Sequence, residues 1–179
     1  MKKKFTTVLL GHCVMGVLLL GQWQALAHQS PRPPAGRGAA PPARSAKVPR
    51  PALAEALKGL DAAVANAREA GISLSCAVVD VHGDLIAFVR MDDAGFLTAS
   101  LAQGKALASA LFGRPSADLA AMAGSPFFAS LNASLQNRIV PAQGAVPIVR
   151  EGHVIGAVGC SGGAPAQDEE AAKAAQATF

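Results

Sequence analysis

The sequence predicts an α+β layer fold, an antiparallel sheet with helices packed on it. Three observations carry that expectation. Residues 145–160, AVPIVREGHVIGAVGC, place strand-forming side chains on both sides of Glu151-Gly152, the spacing of a two-residue hairpin. Residues 72–91 repeat the arrangement around Val81-His82-Gly83-Asp84. Leu53, Leu57, Leu60, Val64 and Ala67 recur at three and four, one apolar stripe of an amphipathic helix. The expected order of elements is α-β-β-α-α-β-β-β-α.

The chain opens on a targeting segment. Lys2–Lys4 form a charged start, Phe5–Leu20 an apolar stretch, and Ala25-Leu26-Ala27 a cleavage site, the pattern of a secretory signal peptide over residues 1–27. A membrane anchor is the weaker alternative. The apolar run is short of the ~20 residues a spanning helix needs, and Gly11, His12, Gly16 and Gly21 interrupt it. Cleavage after Ala27 leaves no stable membrane span and places the mature chain in the periplasm or outside the cell.

Residues 28–51 hold seven of the twelve prolines and five cations, Arg32, Arg37, Arg44, Lys47 and Arg50, with no acid. Such a segment buries too little apolar surface to offset its chain entropy. It reads as a disordered tail, a solvated tether. Residues 52–179 form the domain. Residues 53–179 carry eight Lys/Arg against all twelve Asp/Glu of the chain, a net of −4. The basic overall balance therefore belongs to the leader and tail, and a nucleic-acid groove is excluded from the domain.

Each element follows from local pattern. Ala52–Ala70 is a helix closed by Gly71. Ile72–Asp80 and Leu85–Met91 are strands about the Val81–Asp84 turn. Leu97–Phe112 is a second helix that Thr98 or Ser100 caps. It is apolar over a wide arc, with Gly104 inside it, which costs about 1 kcal/mol unless close packing uses it. Ser116–Ala123 is a short helix capped by Ser116. Phe127, Phe128 and Leu131 form an apolar turn, and Ile139-Val140 a short strand. After the second hairpin comes a glycine-rich corner, Gly159, Gly162 and Gly163, then a helix starting near Pro165 with Asp168, Glu169 and Glu170 at its positive end. That corner is no dinucleotide fingerprint, because only sixteen residues follow Gly163 and a second strand does not fit. It lacks the Gly-Lys-Ser/Thr of a phosphate loop. A tight corner, or one whose N–H groups face a ligand, both remain open.

The segments AVVD-x-HGDL-x-AF-x-RMD (Ala77 to Asp92), QGKALASALFGRPS (Gln103 to Ser116), QGAVPI (Gln143 to Ile148), VIGAVGCSGG and QDEE together resemble the GlcG/HbpS haem-binding family, itself similar to the C-terminal domain of PduO-type corrinoid adenosyltransferases. The resemblance spans the whole mature domain. It implies a profilin-like α/β sandwich with a five-stranded antiparallel sheet, a homo-oligomer, and binding of haem or another tetrapyrrole, in some members with haem degradation. Where some members carry a threonine that contacts the iron, this chain has Ala108. Ala145 stands where the family often has a second glycine.

The cofactor-binding candidates are His82, Lys105, Ser109, Arg114, Gly162 and Gly163. His82 in the first turn is the candidate iron ligand, against a reading as a solvated turn residue. Lys105 and Arg114, with Arg90 and Arg138, are candidate partners for propionates, against surface charge. Ser109 lies beside Ala108 but about 100° round the helix. Asp80 reads as an acceptor of turn N–H groups, and Asp168 and Glu169 as helix-start acids. No spacing for a zinc site occurs. No hydrolase elbow is present at Ser161. The chain therefore reads as an exported haem-binding protein and not primarily as an enzyme. An enzyme degrading haem or acting on a small metabolite, and a non-catalytic subunit of an exported enzyme, are the alternatives.

In the layout that the resemblance implies, the first and last strands are antiparallel neighbours. Cys76 is early in the first and Cys160 ends the last, so pairing brings them together. They form a disulfide in an oxidising compartment or remain two buried thiols, and one residue of register decides which.

Overall fold

The computed structural model describes residues 49–179; the signal and nearly all of the tail lie outside them. The elements are α1 (Leu53–Glu69), β1 (Ser75–Asp80), β2 (Leu85–Arg90), α2 (Thr98–Phe112), a 3₁₀ helix (Ser116–Met122), α3 (Pro126–Ser134), β3 (Ala145–Arg150), β4 (His153–Ser161) and α4 (Pro165–Gln176). The strands form one antiparallel sheet in the order β2-β1-β4-β3.

Alternation along the strands divides the core into layers. Cys76, Val78, Val158 and Cys160 face α1 and α4, where Leu60, Ala63, Ala67, Ala171 and Ala175 meet them. Ala77, Val79 and Ala157 face α2, against Ala106 and Ala110. Behind α2, Leu107 and Ala108 pack on Leu119, Phe128 and Ile139. Among the described residues no helix is long and apolar enough to cross a membrane.

The sheet has four strands among the described residues, not five. The expected strand at Ile139-Val140 is absent because its bonding goes to a helix. The Val140 N–H donates to the Gly104 carbonyl of α2 at 3.1 Å, and Ile139 is buried beside Leu107 and Phe128. Both sheet edges carry features that disfavour further pairing. On β3, Ser116 Oγ accepts the Ala145 N–H at 2.9 Å, Pro147 has no N–H, and its carbonyl accepts Gln176 Nε2. On β2, Val78 pairs with Ala87 and Val79 with Leu85. Ile86 is thus an extra residue, a bulge of the kind that blunts an edge.

Four local expectations change. On α1 the small residues Ala56, Gly59, Ala63 and Ala67 turn inward with Leu60, while Leu53 and Leu57 are 58% and 51% exposed. A Cβ on Gly59 would meet the Ala175 carbonyl at 3.3 Å, so close approach to α4 selects the small face over the large one. Thr98 does not cap α2 as an acceptor; its hydroxyl donates to the Gly95 carbonyl at 2.8 Å and pairs with Ser75 Oγ at 2.9 Å. Ser116 caps no helix, since its hydroxyl donates to the Ala142 carbonyl at 2.6 Å and holds β3. The expected turn at Phe127–Leu131 is the helix α3, with Ser125 Oγ accepting the Phe128 N–H at 3.1 Å. The second hairpin turn is as expected, with φ of 53° at Glu151 and 79° at Gly152, the two positive values such a turn requires.

Pro51 belongs to the folded unit and not to the tail. It is fully buried. A Cβ on Gly156 would lie 3.1 Å from its ring, so the missing side chain on β4 makes the notch that receives it.

Candidate functional site

The turn between β1 and β2 is held from within. Asp80 ends β1 and is 9% exposed. Its Oδ1 accepts the N–H of His82 at 2.9 Å and of Asp84 at 3.1 Å, an Asx-type turn. Gly83 has φ of 81°, and Leu107 of α2 lies where its side chain would be. The turn is thereby pinned to α2, and His82 is presented outward, exposed.

His82 stands on the rim of a cleft of about 840 Å³ between this turn and the segment that leads into α1. The volume lies in the range of small-molecule and cofactor sites. Pro51, Leu53, Val81, Leu85 and Ile86 give apolar walls, and Arg50 supplies a guanidinium. An imidazole, an apolar slot and a cation together suit an apolar, metal-bearing ligand with carboxylate arms. The sequence reading missed Arg50 and Leu53 as site residues, because Arg50 counted as tail and Leu53 as core. The signal that could have found them was Pro51 anchoring the segment between them.

The other candidates lie elsewhere. Lys105 is 5% exposed. Its Nζ pairs with Asp168 Oδ2 at 2.8 Å and donates to the Cys160 carbonyl at 3.2 Å and to Ser161 Oγ at 3.5 Å. Asp168 Oδ1 accepts the Gly163 N–H at 2.8 Å. Lys105, Gly163 and Asp168 thus form one satisfied buried network that ties α2 to α4. Gly144 makes room for it, since a Cβ there would meet Lys105 Nζ at 2.7 Å. Gly162 serves close packing, because a Cβ on it would lie 2.3 Å from the Ser73 carbonyl. Ser109 is fully buried and donates to the Arg114 carbonyl at 2.8 Å. The exposed Arg114 guanidinium lies 5.9 Å from the Phe112 ring. Ala108 is buried against α3. His82, the Lys105 network and the Ser109–Arg114 pair are three separate places.

Cys76 and Cys160 are joined by a disulfide and stand opposite each other in register. The Cys160 N–H donates to the Gly144 carbonyl at 2.8 Å, so its backbone points toward β3. The cysteine pair occupies a site without ladder bonds between β1 and β4, where facing side chains come closest.

The HbpS-like family, described as haem degrading protein HbpS-like, matches residues 52–177. An uncharacterised 15.0 kDa protein of Citrobacter freundii, from the dhaT-dhaS intergenic region, is 32% identical over 138 residues, covering 76% of this chain and 96% of that protein. Protein GlcG of Escherichia coli K12 is 39% identical over 89 residues, 50% of this chain and 64% of its own. Among solved structures, a double mutant of Streptomyces reticuli HbpS superposes with a TM-score of 0.69 at 26% identity, covering 82% of this chain and 99% of the other. A PduOC–haem complex gives 0.64 at 28% identity, covering 73% and 95%. With the family matched across nearly the whole described domain, on the same layered α+β fold, the chain belongs to the GlcG/HbpS-like family.

Proposed function

We propose that this chain is an exported protein that binds haem or a related tetrapyrrole in the cleft beside His82. The observation that carries the reading is the cleft itself: His82 on its rim, Arg50 at its edge, and walls of Pro51, Leu53, Leu85 and Ile86. Family membership and the likeness to a PduOC–haem complex support it. Bound haem would supply the metal chemistry. His82 would hold the iron through a ring nitrogen, Arg50 would pair with a propionate, and the apolar walls would exclude water. Lys105, with Asp168, Cys160 and Ser161 on its amine, is a structural residue in this reading.

Hemin titration of the mature chain tests it. Saturable binding at micromolar protein with a shifted Soret band is expected, and His82→Ala changes the band position while weakening affinity at least tenfold. Absence of saturable binding in the wild type, or an unaltered band in the variant, rejects the assignment. The family's description favours a second reading, haem degradation. Incubation of the complex with a reductant and oxygen decides between them, since loss of the Soret band with release of iron marks degradation. Export rests on residues 1–27 and is tested by fractionating cells for the mature chain. Self-association is proposed as well. The wide apolar arc of α2 is covered within the chain, so exposed Phe96, Leu97 and Phe127 are the surface on which it would rest. Light scattering showing a strict monomer at high concentration argues against it.

A further inference from the structure

A second cleft, of about 430 Å³, lies on the other side of the β1–β2 turn, between that turn and α2. Its floor is apolar, made by Val79, Leu107 and Val140. Two charges line it, Arg138 and Asp84. Among the described residues the Arg138 guanidinium makes no hydrogen bond or ion pair, and neither does the Asp84 carboxylate; the hydrogen bonds at both residues are made by backbone groups.

Several local costs converge on placing Arg138 there. Gln136 and Asn137, neither a glycine, have φ of 59° and 58°. Left-handed backbone at a non-glycine residue is unfavourable and persists only where the surroundings over-determine it. Asn132 does so here. Its carbonyl accepts the Asn137 N–H at 2.7 Å, and its side chain grips Ile139 through Oδ1 at 2.8 Å and Nδ2 at 3.2 Å. Gly104 sits inside α2, where glycine is unfavourable. A Cβ on it would meet Val140 at 2.5 Å and the Arg138 carbonyl at 2.8 Å. The strained turn, the asparagine clamp and the helical glycine all press residues 138–140 onto α2, and together they set an unpaired guanidinium on a cleft of mixed lining, whose apolar side chains stand beside the polar Ser100, Gln103 and Asn137.

We propose that this second cleft binds a small apolar monocarboxylate, with its carboxylate on the Arg138 guanidinium and its hydrocarbon body on the Val79–Leu107–Val140 floor. A guanidinium fork matches a carboxylate bidentately. Asp84 in the same cleft repels a second carboxylate and sets the preference for one charge. The proposal does not rest on the tetrapyrrole reading; Leu85 lines both clefts.

An amide NMR titration of the whole mature chain with isocaproate tests the proposal, with glutarate and isohexanol as counter-probes. Isocaproate is expected to give saturable shifts at Val79, Leu107 and Val140 with a dissociation constant in the millimolar range or below, about −4 kcal/mol. The alcohol and the diacid give none. Arg138→Gln weakens isocaproate binding at least tenfold, and Arg138→Lys falls between. Asp84→Asn admits glutarate. Both residues are exposed, so the variants are expected to melt with the wild type. No saturable shift with isocaproate, an unchanged affinity in Arg138→Gln, or continued exclusion of glutarate by Asp84→Asn overturns the proposal.

Discussion

Lys105 shows how a residue's neighbours decide its role. A lysine on a helix reads as surface charge or as a grip for an anion. Here the side chain passes the point where Gly144 has none and meets Asp168 from the opposite layer. Removing one member strands the other: Lys105→Met leaves the Asp168 carboxylate buried and should destabilise the fold by about 3–5 kcal/mol. Lys105→Met combined with Asp168→Leu should recover most of that loss, and urea unfolding of the three proteins measures it. A double variant no better than the single one would show that hydrogen bonds at Gly163 and Cys160 matter more than the charge. The Asp80 turn was legible in the sequence, because an aspartate before a glycine turn has one common use. The cysteine pair was legible only through the family layout, which sets two strands side by side. The Lys105–Asp168 pair was not legible, because its partners lie 63 residues apart and meet only through a gap left by a third residue. Thiol counting in denaturant should find no free thiol in the mature protein and two after reduction. Two thiols before reduction would contradict the pairing.

At the scale of elements, sequence periodicity found α1 but not its buried face. Apolar side chains recurring at three and four describe a helix; which side turns inward depended on how near α4 approaches. α3 was missed because nine residues rich in Phe, Ala and Ser carry little periodic signal, and Ser125 supplies the start that patterning did not. The N-terminus of α1 carries a pH-sensitive fastening. Glu55 Oε2 accepts the Ala52 N–H at 2.8 Å, and Oε1 meets Arg150 at 2.7 Å. The Ala52 N–H first, and Arg150 second, hold its carboxyl below the ordinary value of 4.5. A carboxyl whose pKa is lowered on folding stabilises the folded state above its unfolded pKa, and that stabilisation is lost as pH falls through the folded value. Both side chains are about one-third exposed, so the effect is small and screened by salt. Hydrogen exchange of the first turn of α1 should therefore quicken as pH falls below 4.5, relative to its intrinsic rate. In Glu55→Gln that acceleration should vanish. An equal response in both proteins would remove Glu55 as the cause.

The described residues form a three-layer arrangement whose two hairpins and four α-helices follow the expected order, with α3 in place of an apolar turn. The layers were legible because strand alternation and helix stripes each demand a partner. The number of strands was not, since Ile139-Val140 has strand-forming residues yet bonds to α2. Pro51, one residue before the expected start of the domain, packs with it. A chain beginning at Pro49 should melt with one beginning at His28. A chain beginning at Leu53 loses Pro51 from its notch and the Ala52 N–H from Glu55, and should melt a few degrees lower. Calorimetry on the three chains checks both statements. Equal melting of the shortest would place Pro51 with the tail after all.

The Cys76–Cys160 bond, with a sequence separation of 84, closes a covalent ring. Inside the ring are most of β1, then β2, α2, the 3₁₀ helix, α3, β3 and most of β4; α1 and α4 are the free ends, both on the same face. Closing a ring of that size restrains the unfolded chain by about 4.5 kcal/mol in the chain-entropy estimate. Its further effect concerns damage. A protease that cuts at the exposed Ala123-Gly124 junction opens the ring without parting the chain, because the sulfur bridge still joins both pieces. Nicked protein should migrate as one band on a non-reducing gel and as two after reduction, and should keep its melting transition close to that of the uncut chain. Such a molecule would go on working after its backbone had been severed once.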